Sequence, residues 1–226
     1  MKTLIVVPAF NEEKSLTRVI KDLKAHGYGN ILVVNDGSQD KTKEIAEKSN
    51  VAVATHVVNR GLGAAISTGL AFARENNLDV VVTFDSDGQH KAEDIKKLLA
   101  PITNNVADVV VGSRLKSNNK NFPLRRLLPI LFSNLATFGL YGLYSTDTTS
   151  GLRAFHRRAY QKIKLKSDRM EFSNEFFKVF VEQRLRYKEV PIDPIYTGYS
   201  LTNSKQGSEL FSSLKLGFKL IFDLLR

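Results

Sequence analysis

The first half of this chain alternates two hydrophobic periods, and that alternation limits the fold more than any other feature. Runs of consecutive apolar residues occur in "TLIVVPA" (3–9), "NILVVND" (30–36), "VAVATHVV" (51–58), "DVVVTFD" (79–85) and "ADVVVGS" (107–113). A strand apolar on successive residues has no solvent face, so these runs predict strands covered on both sides. Between them lie stretches of helical period. From Glu12 to about His26, Leu16, Val19, Ile20 and Leu23 share one face, and "DKTKEIAEKS" (40–49), "GAAISTGLAFAREN" (63–76) and "AEDIKKLLAPI" (92–102) follow. Strand–helix alternation of this kind predicts an α/β domain with a mostly parallel central sheet flanked by helices. Ligands in such sheets gather beyond the carboxyl ends of the strands. The polar loops fall there: "PAFNEE" (8–13), "NDGSQD" (35–40), "NRGLG" (59–63) and "DSDGQ" (85–89).

After residue 112 the rhythm breaks and the charge changes sign. Residues 1–112 carry 13 Lys and Arg against 14 Asp and Glu, whereas residues 113–226 carry 20 against 9. A basic half attracts phosphate, whether in a substrate, an anionic lipid or a nucleic acid, unless it is merely a solvated surface. The stretch Leu127 to Thr146 contains no charged residue. It is long enough to span a bilayer, but Pro129, Ser133, Asn134, Thr137, Gly139 and Gly142 suit a helix on a membrane surface or half-buried in the core better. Near the C-terminus, Leu210, Leu214, Phe218, Ile221, Phe222 and Leu225 form an apolar stripe with Lys215 and Lys219 opposite. That pattern predicts an amphipathic helix over 210–226, docked either on a membrane or on its own domain. Cysteine is absent, which excludes a disulfide framework, a thiolate metal site and a cysteine nucleophile. With no secretory leader ahead of the first strand, a cytoplasmic protein is expected.

The feature most charged with chemistry is Asp85-Ser86-Asp87-Gly88-Gln89. On an extended chain, residues i and i+2 point to one side, so the two carboxylates are delivered together. Like charges at close range raise one pKa unless a cation lies between them. A hard divalent cation, Mg²⁺ or Mn²⁺, resolves the conflict, with Gln89 offering an amide oxygen and Gly88 a tight turn. Such a metal keeps positions open for substrate phosphates. Alone, the Asp-x-Asp spacing is a weak signal, and the same residues read as an Asp- and Gly-rich surface turn. The histidines at 26, 56, 90 and 156 are scattered, and only His90 adjoins a motif.

In order along the chain stand "VVPAFNEE" (6–13), "VVNDGSQDKT" (33–42), "NRGLGAAISTGL" (59–70), "DSDGQH" (85–90), "GSR" (112–114), "DTTSGLRAF" (147–155) and "EVPI" (189–192). The chain thereby resembles a family 2 glycosyltransferase of the GT-A fold, in the subgroup of dolichol-phosphate mannose synthase and bacterial polyprenyl-phosphate sugar transferases. The resemblance implies one GT-A domain over 1–209, a nucleotide-sugar half to about 112 and an acceptor half beyond it, followed by the 210–226 helix. It implies that Pro8, Ala9, Glu12, Asp36, Arg60, Gly61, Asp85 and Lys205 bind a nucleoside-diphosphate sugar. Asp85, Asp87 and Gln89 would hold Mg²⁺ or Mn²⁺. Arg114, Arg126 and Arg153 would meet an acceptor phosphate, and Asp87, Arg114, Arg153 and Asp147 would form the catalytic set. Asn134 matches a family asparagine, whereas Ile130 stands where the lipid-phosphate mannosyl enzymes often have serine.

The expected activity is inverting transfer of a sugar from a nucleoside-diphosphate sugar. The expected acceptor is a polyprenyl phosphate at the cytoplasmic membrane face, reached by a peripheral protein with no nucleic-acid partner. A saccharide hydroxyl acceptor stays open, and it needs a general base, for which Asp147, Glu171 and Glu175 are the candidates. A nucleotidyltransferase should carry a glycine-rich basic first loop, and "PAFNEE" is acidic and has no glycine. A non-enzymatic binder of nucleic acid or another anionic surface would account for the net charge of +10 but gives "DSDGQ" no purpose.

Overall fold

The fold was analysed in a computed structural model, which describes residues 1–117, 122–165 and 172–196. Lys205, Glu171 and the helix expected over 210–226 lie outside the described residues. The expected alternation runs β1 (Thr3–Ala9), α1 (Leu16–Ala25), β2 (Ile31–Asn35), α2 (Thr42–Lys48), β3 (Ala52–Thr55), α3 (Leu62–Glu75) and β4 (Val80–Thr83). A 3₁₀ turn, Ala92–Asp94, leads into α4 (Ile95–Thr103) and then β5 (Val109–Ser113). The second half adds α5 (Leu124–Tyr141), β6 (Arg153–His156), α6 (Arg157–Tyr160), α7 (Phe172–Glu182) and β7 (Tyr187–Pro191).

These strands form one sheet in the order β3-β2-β1-β4-β6-β5-β7. All neighbouring pairs are parallel except those of β6, which runs antiparallel to both β4 and β5. Successive residues of β1 feed opposite faces, as period two requires. Ile5 and Val7 pack with Leu16, Val19, Ile20 and Leu23 of α1 and with Ile95 and Leu98 of α4. Leu4 and Val6 pack with Ala65, Ile66 and Leu70 of α3 and with Phe176, Phe177 and Phe180 of α7. Both faces are thus covered, which is why these strands read as unbroken apolar runs.

One strand expectation needed revision. The third strand was read through Val58 as buried on both faces, yet β3 stops at Thr55 and is only partly covered. Among the described residues it is an edge strand with one neighbour, and beyond it Val57 is 99% exposed. The charge-free stretch from Leu127 to Thr146 is largely helical, as expected: α5 begins at Leu124 and ends at Tyr141, where Gly142 takes a left-handed conformation (φ 66°) that stops the helix. Among the described residues no helix is long and apolar enough to cross a membrane. No strand was expected at 153–156. The antiparallel β6 matters for the site because Arg153, its first residue, is paired with Thr83, the last of β4. The entry to β6 and the exits of the parallel strands therefore meet at one edge.

Candidate active site

Extended pairing continues one residue past β4, where the Phe84 amide donates to the Val6 carbonyl at 2.9 Å. The chain then turns, so Asp85 and Asp87 stand in a turn rather than on the extended segment expected. The turn is built by its own side chains. Asp87 Oδ1 accepts the Gln89 amide at 2.9 Å, and Ser86 Oγ donates to the Pro8 carbonyl at 2.7 Å, fastening the loop to β1. Gly88 has φ +73°, the conformation expected of it in a tight turn.

The two carboxylates still feel each other strongly. Burial and the charge of Asp85 together push the Asp87 carboxyl above the usual carboxylate range. Burial works against ionisation of Asp85 too, but its hydrogen bond to His90 and the charges of His90, Arg114 and Arg153 outweigh burial and hold its pKa below the usual value. Gln89 bridges in an unexpected sense. Its Nε2 donates to Asp87 Oδ2 at 2.5 Å, and its Oε1, the atom expected to face a metal, accepts from Arg126 Nη1 at 2.5 Å. Among the described residues no group of three or more His, Cys, Asp or Glu side chains forms a metal cage. The donor set here is a pair of carboxylates at the mouth of a sheet, one of them raised by the other's charge. That chemistry fits a Mg²⁺- or Mn²⁺-type ion that takes one or two carboxylates and leaves its other positions to water and phosphate.

Three arginines face this pair. Arg114, just beyond β5, makes a bidentate contact with Asp147, Nε to Oδ2 at 2.7 Å and Nη2 to Oδ1 at 2.8 Å, and also donates to Thr149 Oγ1 at 2.6 Å. Burial opposes its charge, but Asp147 more than compensates and raises its pKa. Arg153 is buried, donates to the Ser150 and Thr148 carbonyls at 2.8 and 2.9 Å, and lies 5.0 Å from the ring centre of Phe176. Burial lowers its pKa to about 10. Arg126, in the first turn of α5, is buried beneath Tyr196, whose ring centre is 5.1 Å away. Asp147, weighed as a general base, is 0% exposed with both oxygens on Arg114. Its position is that of an acid pairing an arginine. Glu175, the other described candidate, stands in the first turn of α7 and is half-buried.

The other flank of the edge carries the residues expected at the nucleoside. The Asp36 carboxylate is buried and accepts the backbone amides of Arg60 (3.0 Å) and Gly61 (2.7 Å) at the start of α3. His56 Nδ1 meets the same carboxylate at 2.7 Å, and its Nε2 meets Thr68 Oγ1 at 2.9 Å. Asp36 thus shapes the β3–α3 loop, while the turn expected of "NDGS" is closed by Asn35, whose Oδ1 accepts the Ser38 amide at 3.3 Å. Pro8 and Ala9 are buried, and the Ala9 carbonyl accepts the Asp36 amide at 2.9 Å. Glu12 Oε2 accepts from Ser15 Oγ at 2.6 Å at the start of α1, and the Arg60 side chain is exposed. Beside this flank lies a cavity of about 530 Å³ whose lining includes Phe10, Asn35, Ser38, Gln39, Lys43 and His56.

Sequence reasoning missed three supports of the site. His56 and His90 each hold an aspartate of the edge, and neither has a spacing that advertises this. Glu189, inside "EVPI", accepts from Ser145 Oγ, the Thr146 amide, Thr146 Oγ1 and Tyr187 Oη at 2.6–2.8 Å. It anchors the segment that carries Asp147. Asn134 ties α5 to that segment, Nδ2 donating to the Thr146 carbonyl at 2.7 Å and Oδ1 accepting the Thr148 amide at 2.9 Å. Ile130 is buried.

Comparison with known proteins places this edge in context. A family model described as glycosyl transferase family 2 matches residues 4–164. A UDP-N-acetylglucosamine–dolichyl-phosphate N-acetylglucosaminyltransferase of Methanococcus voltae is 38% identical over 98% of this chain and 94% of its own. An undecaprenyl-phosphate mannosyltransferase of Micrococcus luteus is 34% identical over 85% of this chain and 83% of its own. Among solved structures, glucosyl-3-phosphoglycerate synthase of Mycobacterium tuberculosis in complex with Mn²⁺ and UDP-glucose superposes with a TM-score of 0.67. That match covers 94% of this chain and 77% of the other at 20% identity, a likeness of fold.

Proposed function

The chain belongs to glycosyl transferase family 2, and from that premise we propose that it transfers a hexose from a nucleoside-diphosphate sugar to a polyprenyl phosphate, with inversion at the anomeric carbon. The observation that carries this reading is the meeting of the Asp85–Asp87 pair with Arg114, Arg126 and Arg153 at one sheet edge. An acidic pair beside basic side chains suits a reaction with two phosphate groups, one leaving and one attacking. Asp85 and Asp87 would hold a divalent cation, which when bound neutralises the diphosphate that leaves. The Asp36-shaped loop and the adjoining cavity would receive the nucleoside. Arginine suits the acceptor phosphate because it stays charged when buried and offers paired donors. Lys205 would add a further cation over the donor phosphates.

Acceptor chemistry follows from Asp147. A hydroxyl must lose a proton as it attacks and needs a base within hydrogen-bond reach. A phosphate is already an anion and needs none. Arg114 holds both Asp147 oxygens, which takes Asp147 out of the three candidate bases and to that extent supports the anionic acceptor.

The acceptor tail implies a membrane, and α5 supports one. Leu124, Leu128, Leu131, Leu135 and Phe138 are exposed along one stripe of this helix, and no Asp or Glu occurs between Asp108 and Asp147. An exposed apolar stripe on a helix whose own charged residues, Arg125 and Arg126, are both basic fits an anionic bilayer surface, on which the helix would lie with Arg126 at the site. The 210–226 helix would be a second such contact appended to the 1–209 domain. The test is transfer of label from a panel of uridine- and guanosine-diphosphate sugars in Mn²⁺, with polyprenyl phosphate in detergent. Label should enter the organic phase with one donor. Label that stays aqueous with every donor, while an added oligosaccharide becomes labelled, would refute the lipid acceptor.

A further inference from the structure

We propose that His90 and Gly151 form a slot that positions the Asp85 carboxylate for the divalent cation, and that both are positioning residues for it. The proposal rests on the reading that Asp85 and Asp87 hold that cation. His90 is 7% exposed, and its Nε2 lies 3.0 Å from Asp85 Oδ2. The ring stands edge-on to Phe84, 5.8 Å between centres, which fixes its plane. Its Nδ1 is buried with no hydrogen-bond partner among the described residues. A buried imidazole with one nitrogen unsatisfied is a poor choice for packing alone, since an apolar side chain would fill the space without that penalty. Among the described residues its hydrogen-bond partner is Asp85. With Nε2 carrying the proton, the ring donates to Oδ2 and limits how the carboxylate can rotate.

Gly151 closes the other side. A Cβ built on it would lie 2.2 Å from Asp85 Oδ2 and 2.3 Å from Oδ1, far inside contact distance. The glycine cannot retreat easily, because Thr83 Oγ1 donates to its carbonyl at 2.7 Å. Gly151 is not in the left-handed region, so alanine can adopt its backbone. Any effect of Gly151→Ala therefore reports displacement of Asp85. Partners that orient a metal-binding side chain typically alter metal affinity by about 10–100-fold when removed.

The test is Mn²⁺ binding, read as loss of the free-ion electron paramagnetic resonance signal, with Mn²⁺ alone and again with UDP or GDP present. Thermal melts of each variant run alongside. His90→Leu and Gly151→Ala should weaken Mn²⁺ binding at least about tenfold. His90→Gln, whose amide nitrogen reaches the position of Nε2, should stay within about threefold of the unmodified protein. If His90→Leu does not fold, Gly151→Ala and His90→Gln still decide. Wild-type affinity in Gly151→Ala, or His90→Gln binding as poorly as His90→Leu, overturns the slot while leaving the cation site standing. If the unmodified protein takes up no Mn²⁺ under any condition, the cation reading fails and the slot falls with it.

Discussion

Replacing Asp147 separates a base from a brace. The Asp147 carboxylate is wholly buried and takes two guanidinium hydrogen bonds from Arg114 as well as its backbone amide at 3.0 Å. Removing one partner of a buried pair typically costs about 3–5 kcal/mol, because the other charge is left without compensation. Asp147→Asn keeps the shape and one oxygen, so about 3 kcal/mol is the expected loss. For a domain of this size about 1 kcal/mol moves Tm by roughly 2–4 °C, which gives a fall of about 6–12 °C. Activity should fall with it, chiefly through a raised KM for the acceptor, as Arg114 loses its orientation. The double replacement Arg114→Met with Asp147→Leu should recover much of the Tm without recovering activity, since a matched apolar pair can replace a buried ion pair. Melting curves and initial rates on the same preparations decide the matter. A variant Asp147→Asn that melts within a degree or so of wild type but has lost turnover would refute the reasoning and restore Asp147 as the general base.

Three further outcomes follow from the same geometry. Asp87→Asn should lower donor turnover by at least about a hundredfold, more than loss of an orienting partner would, with Tm unchanged or raised because burial and the Asp85 charge already disfavour its carboxylate; rates across a Mn²⁺ titration check this. Burial disfavours the Glu189 carboxylate, but its hydrogen bonds from Ser145, Thr146 and Tyr187 prevail and set its pKa below the usual value. Its contribution to stability is therefore full above the unfolded value of about 4.3 and lost as pH falls through the lower folded value. The gap in denaturation midpoint between wild type and Glu189→Gln should stay constant above about pH 5 and close in acid. On α5, Leu128 and Leu135 are 73% and 69% exposed, and changing both to Glu should cut sedimentation with anionic liposomes at least about tenfold. Tm should not move.

Much of this was legible in the sequence because burial on both faces writes itself as consecutive apolar residues. Strands β1, β2, β4 and β5 were read to within two residues at each end. The edge strand β3 was read too long, since Val57 and Val58 continue the apolar run without any neighbour to cover them. β6 was invisible because "RAFH" is short and lies between partners far away in sequence. The paired carboxylates were found from residue type and spacing, and the arginines from the family resemblance. What those residues touch was not, because it depends on tertiary register. Gln89 shows its oxygen to Arg126, Asp36 clamps the next loop, and Asp147 is closed around Arg114. His56 and His90 were passed over because a histidine outside a repeated spacing carries no signal until the fold brings an aspartate beside it.

The central claim is that the attacking atom is a lipid phosphate oxygen. The most direct measurement is ³¹P nuclear magnetic resonance of the reaction of polyprenyl phosphate, Mn²⁺ and the donor that labels the organic phase. The expected result is conversion of the lipid phosphomonoester resonance to a phosphodiester, in step with one nucleoside diphosphate released per bond formed. An unchanged monoester resonance while the donor is consumed, with free sugar or a glycosylated oligosaccharide accumulating, would contradict the account.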